Sequence, residues 1–160
     1  MTKPIQKLRP HLWFTTDAQA AAKLYTSIFP DSRITRVTPL PADSPSGPAG
    51  SVEIVEFELF GEAFLAINGG PLDPFNHAIS FLVTCDTQAE IDRYWNALLE
   101  GGKPEPCGWL KDRYGVSWQI TPAMLIDMMA DPDRAKARRV AEAMLKMGKL
   151  DIDALKQAAG

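Results

Sequence analysis

Thr15-Thr16-Asp17-Ala18-Gln19-Ala20 returns 69 residues later as Thr84-Cys85-Asp86-Thr87-Gln88-Ala89, and Tyr25 returns as Tyr94. A segment repeated at a fixed offset signals one supersecondary unit used twice, which constrains the architecture before any element is assigned. Upstream of each echo lies a strand-like segment, Pro10-His11-Leu12-Trp13-Phe14 and Asn76-His77-Ala78-Ile79-Ser80-Phe81. Each carries one of the two histidines of the chain. A duplicated strand-helix unit with one imidazole per copy points to a pseudo-symmetric cavity between two halves. The histidines are 66 apart rather than 69. The second strand must therefore run about three residues longer or carry a bulge, and the two imidazoles need not be equivalent.

Periodicity fills in each copy. Residues 8–14 are rich in apolar and aromatic types, as in a buried strand. Asp17 offers an N-cap, and Ala20, Leu24 and Ile28 keep helical spacing until Pro30 ends the helix. Arg33 to Thr38 alternates polar and apolar; Pro39 to Gly50 is a loop by composition, of a length used for lids and binding loops. Strands over 51–60 and 62–68 meet at Gly61. The second copy reads as strand 77–84, helix 87–100, a stop at Gly101-Gly102, then strands around 107–111 and 116–121. Both halves thus read β-α-β-β-β, an α+β fold. After Pro122 the pattern is purely helical. Asp131-Pro132 suggests a cap and first-turn proline, Ala137, Val140, Ala141, Met144 and Leu145 share one apolar face, and Asp151 caps a last helix. The expected organisation is one domain over 1–160, with module one at 5–70, module two at 76–122 and a helical tail at 123–160. The tail would cover the sheet, line a groove or join two subunits.

Bulk properties narrow the setting. Of 160 residues, 46% are hydrophobic and 23% charged, with a net charge of −3, so nothing draws the surface to nucleic acid or anionic lipid. The basic run Arg134, Lys136, Arg138 and Arg139 is interleaved with acids and reads as a solvated helix face. No apolar run reaches the length of a membrane span, and Met-Thr-Lys-Pro does not open a signal peptide. The two cysteines, Cys85 and Cys107, have no metal or redox spacing. Free thiols in a reducing cytoplasmic setting are expected.

The sharpest motif is Asp112-Arg113-Tyr114-Gly115-Val116-Ser117-Trp118-Gln119-Ile120. It resembles the final turn and strand of the glyoxalase/bleomycin resistance/extradiol dioxygenase, or vicinal oxygen chelate, superfamily. There Asp-Pro-x-Gly precedes a strand ending in a metal-binding glutamate. Pro10 to Phe14, Ala78 to Phe81, Cys107 to Asp112 and Tyr114 to Ile120 look more closely like the PhnB-like family, often labelled 3-demethylubiquinone-9 3-methyltransferase. The likeness extends to the tail segment Arg139 to Met147. The resemblance implies paired βαβββ modules whose sheets curve around a cleft, a small-molecule ligand and, often, a homodimer. The superfamily's metal positions fall here on His11, Ala66, His77 and Gln119.

Two imidazoles are good ligands for a divalent metal, whereas a glutamine carbonyl is a weak donor and Ala66 supplies none. His11, His77 and Gln119 are thus the candidate metal set, and His77, then His11, the candidate acid–base groups. Trp13, Phe57, Phe81, Trp109 and Gln119 would line the substrate pocket, although aromatics at strand parity also fill cores. Adjacent parity sends Trp118 and Gln119 to opposite faces, so with Gln119 in the cleft Trp118 packs under the helices. Glu56 and Glu58 should be solvated, opposite Glu53, Val55 and Phe57. The function implied is that of a small-molecule binding protein or enzyme, its substrate unread. If it binds a metal, that metal would polarise a vicinal-oxygen substrate. The alternative is a non-enzymatic module, either one that binds and sequesters a ligand or one that dimerises or meets a partner through the helical tail. Methyl transfer is the third reading, but its usual Gly-rich strand-to-helix turn is lacking, since Gly69-Gly70 runs into Pro71.

Overall fold

A computed structural model describes residues 5–160. The chain forms two compact units that divide between Asp73 and Pro74. The first contains β1 (His11–Phe14), α1 (Ala18–Ile28), β2 (Arg33–Pro39), β3 (Glu53–Leu59) and β4 (Glu62–Asn68). Its sheet has the order β1-β4-β3-β2, with β1 parallel to β4 and the remaining pairs antiparallel. The second unit contains β5 (Phe81–Cys85), α2 (Gln88–Leu99), β6 (Lys103–Pro104), β7 (Trp109–Lys111) and β8 (Ser117–Pro122). Its sheet order, β5-β8-β7-β6, repeats the first, again with a parallel pair at the crossover. The echo in the sequence is a repeat of topology. Three helices follow in the second unit: α3 (Ala123–Met129), α4 (Arg134–Met144) and α5 (Ile152–Ala159).

Strand parity builds each core. In the first unit Leu12, Phe14, Val55, Phe57, Leu59 and Ala66 are buried, as are Ala21, Ala22, Tyr25 and Ile28 of α1, which packs on β3 and β4. In the second, Val83, Cys85, Leu110, Trp118 and Ile120 are buried together with Ile91, Tyr94, Trp95 and Leu98 of α2. The echoed Tyr25 and Tyr94 are therefore core residues. Burial pushes the Cys85 thiol up to about 12, so this cysteine is an inert apolar filler at neutral pH.

The helix starts differ from the sequence reading in instructive ways. Asp17 does stand at the N-cap of α1, but its side chain makes no capping bond. Asn68, at the end of β4, accepts the Ala18 N–H at 2.7 Å instead. The orphan donor is satisfied from across the unit. By contrast, α2 opens on a complete capping box formed by Thr87 and Glu90. The cap of α4 is Asp133, not Asp131: Asp133 accepts from Ala135 and Lys136, while Asp131 accepts the Asp133 N–H. Asp151 caps α5 as expected, accepting the Ala154 N–H.

The tail turns its apolar face into its own unit. Leu125, Val140, Leu150, Leu155 and Ala159 form a buried cluster flanked by five methionines. Gln88 at the start of α2 holds it, donating to Leu150 O and accepting from Ile152 N. Cys107 and Gly108 donate to Met147 O and Gly148 O at 2.8 and 2.7 Å. Cys107 sits at φ 62 to make this clasp, which also shortens the strand expected over 107–111. Loop 39–50 folds on itself: Gly50 donates to Leu40 O, Ala49 donates to the Asp43 carboxylate, and Ser44 bridges Gly47.

Candidate functional site

Each sheet has one face under helices and one open face. On the open face of the first, a row runs across the strands from His11 through Leu65 and Glu56 to Arg36, as the pairing register sets. His11 is exposed. The Arg36 guanidinium donates to the Glu56 carboxylate, and Arg9 approaches it at 3.8 Å. The Arg36 bond holds the Glu56 carboxyl below the usual carboxylate range. Glu56 therefore anchors a cation pair rather than standing freely solvated, and Glu58 pairs with Arg33 at 3.2 Å. Sequence parity gave the face correctly; it carried no sign of the cross-strand arginines. Trp13 lies on the same face, its indole N–H donating to Gly70 O at 3.0 Å. Its ring covers Gly69 so closely that a Cβ there would fall 2.1 Å from it.

Phe57 belongs to the other face. It is 1% exposed and stacks on Phe64 at 5.4 Å, so it is packed into the helix-covered core. Ala66 is likewise fully buried.

The second unit gathers more of the predicted residues. Trp109 of β7 lies directly opposite Gln119 of β8, and Leu82 of β5 is next in the row. Gln119 donates to Ser80 Oγ at 2.9 Å, which fixes its amide beside the Trp109 strand. Trp118 points the other way. It is 2% exposed, and its indole N–H donates to the Asp112 carboxylate at 2.9 Å. Asp112 also accepts the N–H groups of Tyr114 and Val116. The signature turn thus exists to tie β7 to β8 and lock the Trp118 ring. Phe81 packs against Trp118 with ring centroids 5.4 Å apart.

His77 is not on a strand. β5 begins only at Phe81, and His77 occupies an exposed turn before it. At the echo's offset of 69 the counterpart of His11 is Ser80, so the histidines are not equivalent. Together with Glu105, Pro106 and Trp109, His77 lines a hollow of about 320 Å³. Glu105 enters because its N–H donates to Trp109 O, at the start of β7, at 2.8 Å, a contact that no sequence pattern announces. The predicted residues therefore divide between the units: His11 and Trp13 belong to the first, and His77, Trp109 and Gln119 to the second.

A divalent metal needs several convergent, mostly anionic or imidazole donors. Among the described residues no three His, Cys, Asp or Glu side chains stand together in that way. Among the described residues that line the hollow, His77 and Glu105 are the only such donors, and the Gln119 amide nitrogen is engaged by Ser80. That donor set does not fit a resident metal.

The family model for 3-demethylubiquinone-9 3-methyltransferase matches residues 6–121. The chain belongs to that family. A PhnB protein of Bacillus cereus is 32% identical, over 74% of this chain and 100% of that one, with a TM-score of 0.64. A Pseudomonas aeruginosa protein is 22% identical, covering 74% and 98%, with a TM-score of 0.57. The fosfomycin resistance protein FosX of Mesorhizobium loti shares only 14% identity over 82% and 100%, with a TM-score of 0.56, and so shows the fold alone. No curated protein matches the chain. This PhnB-like chain has the vicinal oxygen chelate fold, with paired βαβββ units and a helical extension. The family match ends before α3, so the tail lies outside it. The methyltransferase wording is the name of the family; the sheets here are two four-stranded mixed ones, unlike the doubly wound parallel sheet that binds dinucleotide-like groups. No helix among the described residues is long and apolar enough to cross a membrane.

Proposed function

We propose that this PhnB-like chain binds a small, flat molecule bearing adjacent oxygens on the open face of its second sheet, with His77 able to give or take a proton. The observation that carries the reading is the convergence of His77, Glu105 and Trp109 on one hollow, with Gln119 opposite Trp109 in the ladder. Trp109 offers an apolar platform. His77 and Glu105 supply polar ends that would fix the ligand's orientation, the usual division of labour in small-molecule sites. Vicinal oxygens are the ligand chemistry that membership of the superfamily suggests. Such a site serves a binding protein and an acid–base enzyme equally. His11 is the second proton-transfer candidate.

Catechol is the probe, measured by calorimetry on the full chain. Trp109→Ala is expected to weaken its binding by about ten-fold through loss of the stacking surface. His77→Ala should cost about five-fold through one lost hydrogen bond. The nucleotide-like methyl donor should give no binding heat, and manganese should leave catechol affinity unchanged. Unaltered catechol binding in both variants would sink the reading. A stoichiometric metal that disappears in His11→Ala and His77→Ala would replace it with a metal-dependent one.

A further inference from the structure

Glu105 and Trp109, two walls of the hollow at His77, stand at the ends of one short loop that the sheet itself holds weakly. β6, which leads into the loop, has only two residues and pairs through Lys103 and Pro104 alone. Each donor of the loop has a place, as buried backbone requires. The Glu105 N–H donates to Trp109 O at 2.8 Å and the Trp109 N–H to Pro106 O at 3.2 Å, which closes the loop on itself. Pro106 has no N–H to give. The N–H groups of Cys107 and Gly108 go to Met147 O and Gly148 O in the helical tail. To aim them there the backbone stands at φ 62 and 81, and a left-handed cysteine persists only where its surroundings hold it.

The tail segment that receives these bonds is fastened in turn to α2. Lys149 pairs with Asp92 at 2.8 Å. Gln88 donates to Leu150 O at 3.0 Å and accepts the Ile152 N–H at 2.9 Å. The buried Leu150 side chain lies so close to Gly108 that a Cβ there would fall 2.9 Å from it. Met147 to Ile152 is therefore a strap that ties the loop to α2. We infer that this strap is a positioning element for the ligand hollow: Gln88, acting through the strap, sets where Glu105 and Trp109 stand relative to His77. What the hollow holds rests on the ligand reading above; what shapes it rests on the hydrogen bonds alone. Among the described residues, neither Gln88 nor the strap lines the hollow, so their influence passes through the loop. The strap also lies beyond residues 6–121, which match the family model. It is a determinant of the site additional to the family's own span.

The test compares the ¹⁵N-labelled full chain with its Gln88→Ala and Lys149→Ala variants. Without ligand, Gln88→Ala should speed hydrogen exchange at the Cys107 and Gly108 amides by about ten-fold. It should also shift the Trp109 indole N–H resonance and leave that of Trp118 in place. The catechol affinity of the folded chain should fall about five-fold, the scale of one lost contact. Lys149→Ala removes only a partly exposed ion pair and keeps the test decisive if the first variant folds poorly. It should move the same signals the same way and weaken catechol about two-fold. Gly148→Ala keeps its carbonyl and should behave as the parent. A merely structural role would lower the thermal midpoint and leave the Trp109 signal and the affinity of the folded chain unchanged. That result, or unaltered exchange at Cys107 and Gly108 in both variants, would overturn the inference. A parent that binds no catechol removes the ligand reading alone, because the exchange and indole signals decide the positioning without ligand.

Discussion

Asp112→Ala is expected to destabilise the chain by about 4 kcal/mol, read from urea denaturation as a large fall in midpoint without a change of slope. The carboxylate accepts from Tyr114 N, Val116 N and the Trp118 indole, at 2.8, 3.1 and 2.9 Å. It is only 4% exposed, so water cannot replace it. Removing it strands three donors at the turn that joins β7 to β8. A typical domain has about 5–15 kcal/mol in hand, which makes this a substantial fraction of the margin. Asp112→Asn should cost less, about 1–2 kcal/mol. One amide oxygen still serves the two backbone donors, while the NH₂ group faces the indole N–H. An alanine variant within 1 kcal/mol of the parent on that order-of-magnitude scale would mean the turn is held by something other than this carboxylate.

Gly102→Ala should be the next most damaging single change, at about 3 kcal/mol. A Cβ at Gly102 would lie 2.1 Å from Lys111 O and about 3 Å from Asp112 backbone atoms. Those atoms belong to the β7 end and the signature turn and cannot rotate aside. The neighbouring Gly101 provides the contrast. It stands at φ +75, and a Cβ there would meet mainly the Arg113 side chain at 3.2 Å. Gly101→Ala should therefore cost only about 1 kcal/mol, the usual penalty of a left-handed helix stop. At Gly148 nothing lies within 4 Å, and alanine there should be nearly neutral. Thermal denaturation of the three variants should rank Gly102 far below Gly101, and Gly101 below Gly148. A Gly102 variant as stable as the Gly148 one would show that β7 and the turn shift freely, contrary to the packing described.

How far these features could be read beforehand differs by physical kind. The repeated Thr-x-Asp-x-Gln-Ala segment foretold the repeated topology because duplication preserves local patterns of capping and apolar spacing. The opposite orientations of Trp118 and Gln119 followed from the two-residue pleat alone. Interactions between distant segments were illegible. Asn68 capping α1, Arg9 and Arg36 meeting at Glu56, and Glu105 joining His77 all depend on which segments become neighbours, and no local rule encodes that. The placement of His77 failed differently. Its apolar neighbours Ala78, Ile79 and Phe81 imitate a strand, but Ile79 is 76% exposed and the ladder starts only at Phe81. Apolar character without a pairing partner does not make a strand. Phe57 and Trp109 show the same limit for aromatics: strand composition identified both, and only the sheet's covered side separates core filler from open-face platform.

The proposed ligand site on the second sheet can be tested through the four tryptophans of the chain. Their indole N–H resonances, assigned by single phenylalanine replacements, report four separate environments. Trp118 is bonded to Asp112, Trp13 to Gly70, Trp95 is buried beside the sheet, and Trp109 borders the hollow with His77. Saturating catechol should move the Trp109 indole signal strongly and leave those of Trp95 and Trp118 in place. A bound catechol that leaves Trp109 unmoved would contradict the account outright.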